Sequence, residues 1–257
     1  AATVVAMHTQ GILIGDASGV MLAFLGEAPA VAVNDAVTVK GTTELRNGVI
    51  QFGKEGLSVA KTGTGSYNTP APEVMDGTAV TAYIATALEN KAVYKYVKYN
   101  GEFTVSGNYY NVVIAGTTTK GSVAYGKSEW ASFNGKPVTV EGWLLGGTAN
   151  YLQTMATSVT VDSSTPIVKI SAPQQFAATS PVAQTLNYTV TNTTASAVTF
   201  AIEGTNVDKF SLGAKTDNTI VVSAKGDNTD KTAYTANLVA KVAGATVATV
   251  ALKQAAP

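Results

Sequence analysis

Short apolar runs separated by polar turns fill the first part of the chain. The runs are Thr3–Met7, Gly11–Ile14, Val20–Leu25, Ala36–Thr42 and Val49–Val59. Their spacing is that of five strands and leaves no room for a helix, and Asn47-Gly48 supplies the positive φ values of a tight hairpin turn. The pattern predicts an all-β domain over residues 1–66, which ends in a Gly/Thr-rich linker from Lys61 to Ser66.

A helical spacing of apolar residues opens the next segment. From Ala79 to Leu88 these residues recur every three or four positions, and Asp76 before them is a good N-cap residue. Strand patterning resumes at Val93 and continues to Val161. We therefore predict a second all-β domain, residues 75–163, with one short helix at its start.

A weak internal repeat links these two domains. Asn34–Gly41 and Asn134–Gly142 each place a polar turn before Val-Thr-Val, a charged residue and a glycine. This suits a strand that alternates between two faces and then bends where only glycine fits. The repeat favours a shared fold, although Val-Thr-Val is common in β proteins and the match can be a coincidence.

The composition changes again after Thr165-Pro166, where Trp disappears and Thr, Ala and Asn become frequent. In this last segment apolar Leu186, Tyr188 and Val190 alternate strictly with polar residues. Such alternation is typical of half-buried strands. We predict a β-sandwich over residues 167–257, so that the whole chain is all-β.

Particular stretches resemble a known fold. The segment Val4–Asp16, followed by Val37–Gly41, resembles the oligonucleotide/oligosaccharide-binding (OB) fold in its secreted bacterial form, and Tyr96–Gly101 through Val138–Gly142 resembles a second copy. The resemblance covers roughly 160 residues and implies two OB-like five-stranded barrels in tandem. It says little about the ligand, because one fold serves many functions.

The last part of the chain resembles the BACON-type β-sandwich of surface proteins of gut anaerobes, where this domain accompanies carbohydrate-processing machinery. Val247–Gln254, a strand that closes on glutamine, is the best local match. The chain departs from that family's tryptophan-bearing middle segment, since no Trp follows Trp143. The resemblance implies a secreted protein at the cell surface or in the periplasm of a bacterium, with a lipid anchor possible upstream of residue 1.

The net charge and the counts of histidine and cysteine argue against several classes of partner and site. Seventeen basic and seventeen acidic side chains give a net charge of zero, which disfavours a partner with a phosphate backbone. With one histidine, His8, and no cysteine, a thiolate site is excluded and a two-histidine zinc site is nearly so. A Ser-His-Asp triad is also nearly excluded, since it could use only His8. We read His8 as a plain strand or turn residue and expect no catalysis, no cofactor and no metal.

Two further expectations concern metal and membrane. Five polar residues of the last domain offer oxygen atoms to Ca²⁺, but their spacing matches no known Ca²⁺ loop, so we read them as turns: Asp217, Asn218, Asp227, Asn228 and Asp230. No run approaches the roughly 20 apolar residues of a membrane-spanning helix. We expect no transmembrane segment in this chain, and a monomer.

Aromatic residues are concentrated in the second domain. Eight of the eleven tyrosines and both tryptophans lie between Tyr83 and Tyr151. Strand alternation turns Tyr94 and Tyr96 outward if Val97 faces the core, and it turns Trp143 outward unless Gly142 bends the strand. Exposed rings are platforms for sugars or bases. The predicted ligand-binding residues are Tyr94, Tyr96, Tyr109, Trp143 and Tyr151; the alternative is that these rings cover the helix or pack against a neighbouring domain.

The function that agrees best with these patterns is a non-catalytic extracytoplasmic binding or scaffolding protein, which recognises a glycan or a partner surface protein. One alternative is a structural stalk or adhesion component. Another is an OB protein for single-stranded nucleic acid, for which Lys91, Lys95 and Lys98 lie near the aromatic residues.

Overall fold

A computed structural model describes residues 2–257, and strands dominate it. In this part of the chain there are twenty strands, one α-helix and three short 3₁₀ turns. The prediction of an all-β chain is confirmed. The chain divides into two compact units between Asp162 and Ser163.

The first unit begins with a seven-stranded sheet. Its strands are β1 (Ala2–His8), β2 (Gly11–Asp16), β3 (Gly19–Phe24), β4 (Asp35–Lys40), β5 (Thr43–Arg46), β6 (Val49–Phe52) and β7 (Ser58–Thr64). They lie in the order β5-β6-β3-β2-β1-β4-β7. All neighbours are antiparallel except β3 and β6, which run parallel and meet at Ala23 and Phe52. The inner face packs Val4, Ile12 and Val37 into one apolar cluster.

Strand β7 corrects the predicted linker. The Gly/Thr-rich stretch from Lys61 was expected to leave the sheet, but Lys61 pairs with Val37 and Thr64 pairs with Asp35. The Lys61 amine also lies 2.6 Å from the Asp35 carboxylate. Because these contacts fix the stretch beside β4, the pairing ends only after Thr64.

One helix and six strands complete the first unit. They are β8 (Glu73–Val74), α1 (Gly77–Leu88), β9 (Tyr96–Ser106), β10 (Tyr109–Val113), β11 (Lys120–Val123), β12 (Pro137–Gly147) and β13 (Tyr151–Val161). The predicted helix and its cap are confirmed, since the Asp76 carboxylate accepts a hydrogen bond from the Ala79 N–H at 2.8 Å. No helix in the described part of the chain is long and apolar enough to cross a membrane.

Five of these strands close into a barrel. The order β10-β11-β13-β12-β9 returns to β10, and β11 and β13 are the parallel pair in the ring. The interior holds Val97, Phe103, Val140 and Leu152, and α1 adds apolar side chains to the same core. The residues after β11 also enter this core through Trp130.

The second unit contains two antiparallel sheets. Its strands are β14 (Ile167–Ile170), β15 (Gln184–Thr191), β16 (Val198–Glu203), β17 (Phe210–Lys215), β18 (Thr219–Ala224), β19 (Tyr234–Val242) and β20 (Ala245–Gln254). One sheet has the order β14-β15-β18-β17 and the other β16-β19-β20. Leu186 and Val222 of the first sheet share one buried cluster with Leu238 and Leu252 of the second.

Candidate functional site: the outer face of the barrel

The five predicted aromatic residues separate into two groups. Trp143 is buried, with 3% of its surface exposed, and Tyr94 and Tyr96 are half-buried. Tyr109 and Tyr151 are exposed, at 74% and 39%. The structure therefore does not bring the five residues together into one face.

Trp143 points out of the barrel but not into solvent. Its strand neighbour Leu144 is in the barrel core, whereas Trp143 packs with Leu13 and Leu22 of the seven-stranded sheet. The expected direction holds, and the expected exposed ring is corrected. The sheet covers this ring, so it offers no platform to a ligand.

Tyr94 and Tyr96 belong to the same buried contact between sheet and barrel. The Tyr94 hydroxyl donates to the Ile50 carbonyl at 2.9 Å, and burial raises the pKa of Tyr94 to about 12. The Tyr96 hydroxyl donates to the Glu141 carboxylate at 2.6 Å. Burial and, after it, this bond raise the pKa of Tyr96. Both hydroxyls are used within the protein.

A glycine turn fixes the same contact at its other end. Gly48, with φ +82°, lies so close to α1 that an added Cβ would stand 2.2 Å from the Ala87 carbonyl oxygen. The Gly147 N–H donates to the Asn47 carbonyl at 2.8 Å, and the Ala92 N–H donates to the Gly48 carbonyl at 3.1 Å. The Asn-Gly hairpin turn predicted from the sequence thus also docks the sheet onto the barrel.

The second group marks a different surface, which we call the outer face. The pairing of β9, β10, β11 and β13 aligns residues in rows across the four strands. One row is Thr104, Asn111, Ser122 and Gln153; the next is Glu102, Val113, Lys120 and Tyr151. Tyr109, at the hairpin end of β10, lies opposite Ser106 and completes the face.

The two tyrosines stand at opposite ends of the outer face. Tyr151 is level with Val113, four residues along β10 from Tyr109 and two strands away. With strand spacings of about 4.8 Å and a rise of about 3.4 Å per residue, the path between their Cα atoms along the curved sheet is about 17 Å. Because the ring of strands is closed, a ligand that touches both rings must be an extended chain that follows the curve of the barrel.

The outer face is polar and nearly uncharged. Hydroxyl and amide groups occupy its central row, and among the residues of the two rows one acid and one base carry charge, Glu102 and Lys120. Amides and hydroxyls both donate and accept hydrogen bonds. This combination of exposed rings and neutral hydrogen-bonding groups suits a neutral polar chain better than a polyanion.

The two acidic side chains with lowered pKa values, Asp16 and Asp35, take part in a turn and in an ion pair. The Ser18 hydroxyl and N–H hold the pKa of Asp16 below its ordinary value. The Lys61 amine, with the Ala32 N–H, does the same for Asp35. Within residues 2–257 no three His, Asp or Glu side chains come together to hold a metal ion.

Four of the five polar residues that offer oxygen atoms to Ca²⁺ make hydrogen bonds within the protein: Asn218, Asp227, Asn228 and Asp230. The Asn228 amide donates to the Thr232 and Ala255 carbonyls at 2.9 and 2.8 Å, and Asp230 accepts from the Tyr234 hydroxyl at 2.8 Å. Asp227 accepts from the Ser180 N–H at 2.7 Å. These contacts are those of structural turns.

Two open grooves lie on the seven-stranded sheet, near the hairpin between β2 and β3. Their volumes are ≈ 330 and ≈ 510 Å³, and both are lined by Ala2, Gly15 and Asp16. None of the five predicted ligand-binding residues lines them. The Asp16 carboxylate there is already bonded to Ser18 at 2.5 Å.

His8 was predicted from the sequence to be an ordinary strand or turn residue. It ends β1, is buried, and its ring stacks on Tyr125 of the barrel. Being the single histidine of the chain was the only feature that set it apart in the sequence.

No family model, no curated protein and no solved structure matches the chain.

Proposed function

We propose that the first unit is a non-catalytic binding module and that its outer face binds an extended neutral glycan chain. The observation that carries the proposal is the position of two exposed tyrosines, Tyr109 and Tyr151, on either side of a row of uncharged polar residues. Aromatic rings offer flat apolar platforms to sugar rings, and the amides and hydroxyls between them bind sugar hydroxyls.

The barrel's strand order supports an OB-like assignment for this module. Numbered along the chain, its five strands pair as 1-2-3-5-4 and back to 1, with strands 3 and 5 parallel. The seven-stranded sheet follows the same order if β4 with β5, and β6 with β7, each count as one interrupted strand. In OB folds the face of strands 2 and 3 binds ligands, and those strands correspond to β10 and β11 here.

The second unit we take to be a β-sandwich that acts as a spacer or scaffold. Its two sheets share one apolar core. The buried amide of Gln254 donates to the Gly226 carbonyl at 2.8 Å and to the Ala177 carbonyl at 3.2 Å. This gives a physical reason for a final strand that closes on glutamine, as in the BACON-like resemblance. A location at a bacterial cell surface rests on that resemblance.

Charge argues against nucleic acid as the ligand. Lys91 pairs with Glu89 at 3.0 Å and Lys95 with Glu73 at 2.9 Å. These lysines are therefore already partly neutralised. Binding to phosphate backbones needs several free cations along one groove, and the two aligned rows of the outer face supply one, Lys120.

The test is a titration of the full chain with a panel of neutral polysaccharides by calorimetry. Loss of one stacking ring costs about 1–3 kcal/mol where aromatic stacking has been measured on bases, so we expect Tyr109→Ala and Tyr151→Ala each to weaken binding about 5- to 150-fold. The matched control is Val74→Ala, which trims an exposed residue of β8 outside the outer face.

Salt separates the alternatives. Glycan affinity should change little between 50 and 200 mM salt, whereas an affinity for single-stranded oligonucleotides that falls steeply over this range would favour a nucleic-acid function. Glycan binding that survives both tyrosine substitutions would contradict the proposed face.

A further inference from the structure

His8 carries a buried donor without an acceptor. Its side chain is 7% exposed, and its Nδ1 accepts a hydrogen bond from the Gln10 N–H at 3.0 Å. The neutral ring must therefore carry its proton on Nε2. Within residues 2–257, Nε2 is the one buried side-chain nitrogen or oxygen that has no hydrogen-bond partner. Such a group calls for an explanation, because buried polar atoms are almost always paired.

The ring of Tyr125 stacks on the imidazole. The ring centroids are 4.1 Å apart and the planes differ by 10°. Tyr125 comes two residues after β11 and has φ +52°, a left-handed backbone that a bulky residue adopts only at a cost. The contact joins the end of β1 in the sheet to the barrel, and Tyr125 remains 45% exposed on its other side.

The surroundings favour the neutral imidazole. A second proton would have to bind Nδ1, where the Gln10 N–H already points, so charging the ring breaks that bond. The ring packs over Gly11 of β2, which carries no charge. The titratable group that stacks on it from the barrel is the Tyr125 phenol. Burial lowers the pKa of His8 from 6.5 to about 4.

A cation–π attraction between an imidazolium and the Tyr125 ring opposes this effect. The stacked ring offers the charge only one π face, while protonation at Nδ1 costs the Gln10 hydrogen bond and leaves the charge buried away from water. In acid, the charged ring therefore gains most by leaving the stack for solvent.

We propose that His8 and Tyr125 form an acid-labile clasp between the sheet and the barrel. Protonation of His8 at Nδ1 expels the imidazole from the stack and frees the segment that carries Tyr125. The same segment continues into Gly126, which lies against the Tyr110 ring, next to Tyr109 of the outer face.

The single histidine makes the test direct. In the full chain, an NMR titration of the His8 Cε1–H resonance should give a midpoint well below 6.5, near 4, and the Tyr125 ring resonances should move with the same midpoint while the remaining spectrum stays folded. Tyr125→Ala should raise the His8 midpoint towards 6.5, whereas Tyr125→Phe should leave it low.

His8→Gln provides an independent arm if a Tyr125 variant does not fold. It should abolish the Tyr125 transition near pH 4. A His8 midpoint near 6.5 in the unmodified protein would overturn the proposal. So would Tyr125 resonances that ignore the His8 midpoint, or that still shift near pH 4 in His8→Gln.

Discussion

Two surfaces of the first unit occupy matching positions on three consecutive strands but differ in burial. Across the first three strands of the sheet, the outward residues Ala6, Leu13 and Leu22 pair in a row. Across the first three strands of the barrel, the corresponding outward row is Thr104, Asn111 and Ser122. The apolar row is buried against Trp143, while the polar row is half-exposed.

The difference shows that side-chain chemistry, and not strand order, decides whether such a face is buried in a contact or stays exposed. Removing a leucine side chain from water contributes about 1.5–3 kcal/mol, so the apolar row gains by docking. Threonine, asparagine and serine gain nothing comparable. The apolar row of the sheet is therefore buried against the barrel, whereas the polar row of the barrel remains half-exposed.

The largest effect should come from the ring at the centre of the contact. Trp143→Ala should lower the free energy of unfolding by about 3–5 kcal/mol, because it leaves a cavity beside Leu13 and Leu22. Urea unfolding followed by circular dichroism measures it, with Val74→Ala as the control that should change stability by less than about 0.5 kcal/mol. A loss under about 1 kcal/mol would mean that the ring is solvated, in which case the two faces do not differ.

The hairpin turn that docks on α1 gives the next effect. Gly48→Ala places a Cβ against the Ala87 carbonyl, in addition to the cost of its positive φ. Gly56→Ala is a matched control, since Gly56 has φ +67° and nothing within 4 Å. We expect Gly56→Ala to cost about 1 kcal/mol and Gly48→Ala clearly more. Equal losses in thermal or urea unfolding would show that the turn is not docked.

The His8 contact should add a pH dependence to stability. The folded pKa of about 4 lies below the unfolded value of 6.5, so the unfolded chain binds the proton first as the pH falls. Stability from this group is therefore complete above pH 6.5 and is lost between pH 6.5 and 4, by up to about 3 kcal/mol.

Comparison with His8→Gln isolates this group from the carboxylates. The pKa values of Asp16 and Asp35 are lowered in the folded protein. The unmodified protein and His8→Gln therefore both lose stability as these acids are protonated. The difference between the two unfolding curves should shrink as the pH falls from 6.5 to 4. A constant difference would contradict the buried neutral histidine.

The smallest effect on stability should come from the outer face itself. Asn111→Leu with Ser122→Leu copies the apolar row of the sheet onto the barrel and should change the free energy of unfolding by less than about 1 kcal/mol. The new exposed apolar patch should promote self-association, seen as a concentration-dependent rise in sedimentation coefficient relative to the unmodified chain. Unchanged sedimentation would mean that a face's chemistry does not determine its docking.

Local patterns predicted much of the fold. Alternation placed Val97 inside and Trp143 outside the barrel, and Asp76 marked the helix start. These features depend on neighbours in sequence. The extension of β7 into the Gly/Thr-rich stretch escaped prediction because it depends on partners in β4, far along the chain.

The candidate site was harder to predict for the same reason. Alternation states which way a ring points but not whether another part of the protein covers it, so Trp143 and Tyr109 looked alike in the sequence. Burial of His8 likewise depends on Tyr125, more than a hundred residues away. No local pattern carries that information.

The most direct test is to map a bound glycan on the isotope-labelled full chain by amide chemical-shift perturbation. Addition of the neutral polysaccharide that binds best should shift amides of β9, β10, β11 and β13, with the largest changes near Tyr109, Asn111 and Tyr151. Shifts that cluster around Asp16, or in residues 163–257, would contradict the outer face as the binding site.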